Sequence, residues 1–111
     1  MACLWLSTAA RDNKITLAEL GGSTITISSL GSLGGIVSTP IINYPEVAIL
    51  GVHRIRKRPM VDDDDQIVVR ETMNVSLSFD HRVIDGLVAA EAVGALVQLL
   101  EHPESLLLEM A

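Results

Sequence analysis

Residues 67–79 alternate more cleanly than any other stretch of this chain. Met73, Val75, Leu77 and Phe79 fall on one side of an extended segment, and Thr72, Asn74, Ser76 and Ser78 on the other. A period of two over that length predicts a strand with one polar face, from Ile67 to Phe79. A second long strand is expected from Glu46 to about Arg58, ended by Pro59. Between the two lie Asp62, Asp63, Asp64 and Asp65, four adjacent carboxylates that repel one another and seek water. Two long strands joined by such a turn make an antiparallel hairpin, and the rest of the fold has to be built around it.

The segments flanking the hairpin read less strongly. Residues 3–11 look like the tail of a helix that runs out at Asp12-Asn13. Thr16 and Glu19 have the spacing of a capping box, and Gly21-Gly22 stops the short helix it opens. Ser23 to Ser28 alternates again, with Thr24, Thr26 and Ser28 opposite Ile25 and Ile27. Gly31, Gly34 and Gly35 punctuate the next stretch, and Pro40 and Pro45 bracket an extended connection. After Asp85-Gly86 a helix is expected to about Glu101, apolar nearly all round and therefore buried on most of its surface. Pro103 opens a last short helix over residues 104–110. With neither repeat nor linker, residues 1–111 read as one unit of the α/β class, with a mixed, largely antiparallel sheet and packed helices.

Composition limits what such a chain can do. Its 111 residues are 49% hydrophobic and only 20% charged. A chain of 11.9 kDa exposes roughly 17,000 Å² unfolded and roughly 6,000 Å² as a compact monomer. So little charge covers a free-standing domain poorly, and some apolar surface is expected to meet another chain. The net charge of −6 argues against a general binder of nucleic acid or anionic membranes. Trp5, Tyr44 and Phe79 are too few aromatics for a base-stacking platform. A single cysteine, Cys3, excludes a disulfide framework and a cysteine-rich zinc site. No apolar run approaches the ~18 residues of a membrane span, and no basic residue precedes the apolar start. The expectation is a soluble intracellular protein, cytoplasmic or in the mitochondrial matrix.

Three histidines, His53, His81 and His102, are far apart in sequence with no carboxylate at ligand spacing, so no metal site is expected. Gly31 to Gly35 lacks the spacing of a dinucleotide or phosphate loop, and no nucleophile elbow occurs. Residues 53–58 hold four of the eight Lys and Arg residues. Alternation would put Arg54, Arg56 and Arg58 on one side of a strand. They are expected to be solvated and paired with the Asp62–Asp65 tip, the rival being a docking patch for an acidic partner or a coenzyme phosphate. His81 stands out, because it ends the polar-faced strand and leads into a helix, where a rigid general base could be displayed. On spacing alone, Asp80 and Arg82 could equally be a structural ion pair, and Asp85 simply the N-cap of the next helix.

Residues 76–86, Ser-Leu-Ser-Phe-Asp-His-Arg-Val-Ile-Asp-Gly, resemble the HRxxDG signature of the dihydrolipoamide acyltransferases, core components of 2-oxo acid dehydrogenase complexes. Thr26 to Gly31, Gly34-Gly35, Thr39 to Asn43 and Pro45 to Gly51 resemble segments of that family in the same order. Ala10 to Ile15 and Leu106 to Glu109 also fit. The resemblance implies a chloramphenicol acetyltransferase-like fold of which this chain is the second half. The lipoyl domain, the peripheral-subunit-binding domain and the first half of the catalytic domain are expected to be absent from it.

The activity so implied is that of a dihydrolipoyllysine-residue acyltransferase, moving an acyl group between the thiols of dihydrolipoamide and coenzyme A. The lipoyl group would be carried on a domain outside this chain. By resemblance His81 matches the family's general base and Ser28 the hydroxyl that meets the oxyanion. Asp85 matches the acidic or amide position that organises the site. Partners implied are two further copies in a homotrimer, a larger cage of trimers, and the 2-oxo acid dehydrogenase and dihydrolipoamide dehydrogenase components. The alternative is a truncated, catalytically inactive assembly fragment of the same fold. Chloramphenicol acetyltransferase itself fits less well, because Pro45 to Gly51 and Leu106 to Glu109 look like the dehydrogenase-complex branch.

Overall fold

In the computed structural model, which describes Ala2–Glu109, the long hairpin is present but broken at one level on both arms. The elements are α1 (Ala2–Arg11), α2 (Leu17–Leu20), β1 (Thr26–Ser29), β2 (Ala48–Val52), β3 (Arg56–Val61), β4 (Ile67–Thr72), β5 (Val75–Phe79), α3 (Gly86–Glu101) and α4 (Ser105–Glu109). Strands β1, β2 and β5 form one sheet in that order; β3 and β4 form a separate ribbon. β1 runs parallel to β2, and both other pairings are antiparallel. The mixed, largely antiparallel α/β architecture expected from the sequence is therefore observed.

The expected strands over 46–58 and 67–79 are each two strands. Residues 53–55 and 73–74 leave the ladder together, and the His53 N–H donates to the Asn74 carbonyl at 3.1 Å across the break. Pro59 does not end its strand. It sits inside β3 opposite Val69, where a two-stranded ribbon has a free edge on both sides and the missing N–H interrupts nothing essential. At the tip, Asp62 Oδ1 accepts the N–H groups of Asp64 at 3.1 Å and Gln66 at 2.8 Å, and Asp65 takes a left-handed φ of 59°. The turn is organised by the Asp62 side chain. No ion pair joins it to Arg54, Arg56 or Arg58 among the described residues, so the expected pairing of basic strand and acidic tip is not made.

The capping box holds: the N–H and the hydroxyl of Thr16 both donate to Glu19 Oε2 at 2.8 Å. The last helix spans Ser105–Glu109, and the Met110 assigned to it lies outside the described residues. α3 covers the expected residues but not the expected environment. Only Ala89 in it is buried, while Leu87, Val88 and Leu100 are more than half exposed. β1 is similar, with Ile27 on its apolar side 67% exposed and Ile25 just before it 50% exposed. Among the described residues the hydrophobic core reduces to Ala48, Ile49 and Ala89. The chain exposes 9,102 Å², against the ~6,000 Å² of a compact monomer of this mass. Its radius of gyration is 16.9 Å, where ~13 Å is usual for this length. The apolar excess read from composition is thus literally on the surface, and α3 and β1 present faces built for burial.

Candidate active site

His81 stands on a turn fixed from several directions. The Asp80 N–H donates to the Val47 carbonyl at 2.8 Å, tying the end of β5 back to the start of β2. The Asp80 carbonyl then accepts the N–H groups of Val83 and Ile84, each at 3.0 Å, which closes the chain tightly around residues 81–83. The Arg82 guanidinium grips the Asp80 carboxylate through Nε at 2.9 Å and Nη2 at 2.6 Å, and the Arg82 N–H adds a third bond at 3.0 Å. These hydrogen bonds and the adjacent positive charge lower the Asp80 pKa from 3.8 to about 2. The ion pair considered from spacing is therefore real.

Asp85 is the N-cap of α3. Its backbone is extended, at φ −84° and ψ 166°, and Oδ1 accepts the Val88 N–H at 2.9 Å. The helix is thus capped four residues after His81, and a Cβ on Gly86 would lie 4.0 Å from His81 Nε2. The imidazole leans toward the start of α3 while its other flank meets the Phe79 ring, centroids 5.4 Å apart. It remains exposed. A histidine on a rigid turn, with its ring open to solvent, can exchange a proton with a substrate brought to it.

Ser28 belongs to a different part of the sheet. It pairs with Gly51 of β2, which in turn pairs with Ser76 of β5, so the three form one row across the strands. Paired residues share a face, and this is the polar one, as the alternation in both segments predicts. His81 lies beyond the other end of β5. Two strand spacings sideways and five residues along put the two side chains on the order of 15–20 Å apart within one chain. Ser28 and His81 are not brought together by this chain's own fold.

The face around Ser28 carries a network that the sequence analysis missed. His53 is 6% exposed and its Nε2 lies 3.1 Å from Ser76 Oγ, while the Ser76 hydroxyl donates to the Ser38 carbonyl at 2.8 Å. Asn74 Nδ2 donates to the Ile36 carbonyl at 2.9 Å, so residues 36–38 are pinned over the polar face from two points. Gly51 makes room: a Cβ there would come within 2.5 Å of Ser76 Oγ and 3.6 Å of His53 Nε2. The available signal was the even spacing of Gly51 and His53, which puts both on the face that Ser76 shares. At the foot of β1, Ser23 and Thr26 donate to the buried Glu46, and these bonds lower its pKa.

An open groove of about 680 Å³ runs beside this network, lined by Ser29, Gly31, His53, Arg54 and Arg56 among others. The Arg56 Nε is buried there with no hydrogen-bond partner. Among the described residues no three His, Cys, Asp or Glu side chains gather to hold a metal, and no helix is long and apolar enough to cross a membrane.

A turn that displays a histidine, a capped helix behind it and a serine on a polar-faced edge strand define a class of site rather than one protein. Residues 2–108 match the family described as 2-oxoacid dehydrogenases acyltransferase (catalytic domain), and the chain belongs to that family. The lipoamide acyltransferase component of the branched-chain alpha-keto acid dehydrogenase complex of Pseudomonas aeruginosa is 62% identical over 104 residues, covering 94% of this chain and 24% of that protein. The chain therefore spans about a quarter of the length of that relative. Among solved structures, the dihydrolipoamide acetyltransferase of Azotobacter vinelandii superposes with a TM-score of 0.87 at 40% identity, over 96% of this chain and 43% of the other. That structure addresses the role of a serine, a histidine and an asparagine in that enzyme's catalytic mechanism. The cubic core of a pyruvate dehydrogenase multienzyme complex superposes with a TM-score of 0.86 at 41% identity, over 94% of this chain and 42% of the other.

Proposed function

We propose that this chain is the C-terminal half of an acyltransferase catalytic domain, and that it supplies both Ser28 and His81 to transfer between the thiols of dihydrolipoamide and coenzyme A. The observation that carries this reading is a spacing. The histidine and asparagine of the Azotobacter enzyme are four residues apart, as His81 and Asp85 are, and its serine-to-histidine separation matches that of Ser28 and His81 to within one residue. Asp85 stands where that enzyme has an amide, and its carboxylate is engaged in capping α3. It acts as an organiser of the turn, not as a proton carrier.

A thiol has a pKa near 8.5, so little thiolate is present at neutral pH and a base is needed. His81 takes the proton from the attacking thiol. The sulfur adds to the thioester carbonyl, and the Ser28 hydroxyl donates to the oxygen that becomes negative. When the carbonyl re-forms, the other sulfur leaves and recovers the proton from His81, so protons and acyl groups balance. The groove lined by Ser29, His53 and Arg54 suits a thiol that carries phosphate groups, with the exposed Arg54 guanidinium on its wall. The dihydrolipoamide arm arrives on a lipoyl domain outside this chain.

Because Ser28 and His81 stand far apart in one copy, the working site forms between copies. The reading is a homotrimer with a site at each interface, trimers joining into a cage served by the 2-oxo acid dehydrogenase and dihydrolipoamide dehydrogenase components. The exposed faces of β1 and α3 supply apolar surface for such contacts. The test is mixing. Full-length Ser28→Ala and full-length His81→Ala proteins, each expected to be strongly impaired, are co-assembled and assayed for thioester exchange. Shared sites pair an intact Ser28 with an intact His81 at some interfaces, and activity returns. Mixed assemblies with no recovery put both residues in one subunit. Unsubstituted protein that shows no thioester exchange would leave the inactive assembly fragment as the better reading.

A further inference from the structure

We infer that His53 is a positioning residue for acyl transfer, holding the polar face beside Ser28 through a fixed imidazole–hydroxyl–carbonyl chain; this rests on the function proposed above. The hydrogen-bond directions follow from donor counting. The Ser76 hydroxyl has one proton, and it is given to the Ser38 carbonyl at 2.8 Å. Ser76 Oγ must then accept at its other contact, so His53 Nε2 carries a hydrogen and donates across 3.1 Å. The tautomer is set by the network.

The place of the ring gives this chain its consequence. Gly51 lies between Ser28 and Ser76 in the row across the sheet and has no side chain to fill the gap. His53 Nε2 lies 3.6 Å from where a Cβ on Gly51 would be. Cross-strand side chains on one face stand about 5 Å apart, so the imidazole edge lies near Ser28 across that gap, beside the Ser76 and Ser38 hydroxyls that would also meet such a Cβ. His53 also lines the groove next to Ser29, joining the Ser28 row to the surface where the phosphorylated thiol is read. Its own N–H bonds Asn74, whose amide holds the Ile36 carbonyl. His53 thus bonds both Asn74 and Ser76, the two residues that pin the segment laid over the face. A buried polar ring in that position is costly unless it is hydrogen-bonded, and Ser76 bonds its Nε2.

The experiment compares His53→Phe, His53→Gln, Ser76→Ala and the double variant His53→Phe/Ser76→Ala in the assembled full-length acyltransferase. kcat and both thiol KM values are measured, with His81→Ala as control. His53→Phe keeps a ring and loses the donor, and a misplaced Ser28 should lower kcat by up to ~10²-fold with little change in KM. Gln at 53 restores an N–H donor and should recover most of that loss. Ser76→Ala should match His53→Phe, and the double variant should be no worse than either alone, because both break one hydrogen bond. Loss of thermal stability with unchanged kcat, additive losses, or a loss confined to KM would each overturn the inference. If His81→Ala itself retains activity, the proposed function fails; if His81→Ala is inactive and His53→Phe turns over normally, only this inference fails.

Discussion

The two sides of the proposed site are built from opposite materials. His81 is displayed on a short turn locked by charge: a carboxylate gripped by its neighbour's guanidinium, then a helix capped four residues later. Its ring is exposed. Ser28 is held in a sheet by neutral hydrogen bonds, with a buried histidine, two serines and a glycine arranged around its row. The first side is rigid within a few residues of sequence. The second is rigid only because segments from 28 to 76 converge. Each side is complete before it meets the other, which is what an enzyme assembled from identical copies needs: association then brings finished surfaces together and pays no further ordering entropy at the reacting atoms.

That comparison can be broken most decisively on the histidine side. His81→Ala in the full-length protein is expected to lower acyl transfer by about 10²–10⁴-fold, the usual contribution of a positioned base. Assembly size, measured by light scattering, should not change, since the ring is exposed and packs beside Phe79 and Gly86. Near-normal turnover in that variant would remove His81 from the chemistry.

Ser28→Ala comes next, with an expected loss of ~10²–10³-fold in kcat, as for other single oxyanion donors. KM for either thiol should move little, because the hydroxyl answers charge that exists only in the transition state. Damage that appeared chiefly in KM would make Ser28 a ground-state contact and reduce the two sides of the site to one.

The same contrast explains what could be read in the sequence. The turn around His81 was legible because its determinants are local: Asp80 two residues from Arg82, and Asp85 directly before a helix. The polar face of Ser28 was legible too, from the alternation of Thr26 and Ser28. The network of His53 was not, because Ser38, Gly51, His53 and Ser76 are joined only by strand register, and register is invisible until the break at residues 53–55 is known. Pro59 misled because a proline is a poor strand residue in the middle of a sheet, whereas a two-stranded ribbon tolerates it. The exposure of α3 was misjudged for another reason. Its apolar periodicity predicts burial nearly all round, and within this chain only Ala89 is buried.

The smallest effect is expected at Arg82, and it separates the lock from the chemistry. Arg82 is 89% exposed, so solvent screens its pairing with Asp80 and the variant Arg82→Gln should still fold and assemble. Asp80 would keep the N–H of residue 82 but lose the guanidinium, and its carboxyl should rise from about 2 toward the ordinary 3.8, as read by NMR titration. The sign of the stability effect comes from that shift. A carboxyl whose pKa is depressed on folding stabilises the native state at pH values above its unfolded pKa. The contribution fades as pH falls through the folded pKa. The native protein should therefore outlast Arg82→Gln in thermal melts from neutral pH down to about 4, and the difference should shrink to nothing as pH approaches 2. Turnover at neutral pH should fall only several-fold, because Val83 and Ile84 still bond the Asp80 carbonyl and Asp85 still caps α3. A loss as large as that of His81→Ala would instead place the guanidinium among the groups that meet the substrate. The charge lock would then be part of the reaction, and the division between a turn that presents and a histidine that reacts would not hold.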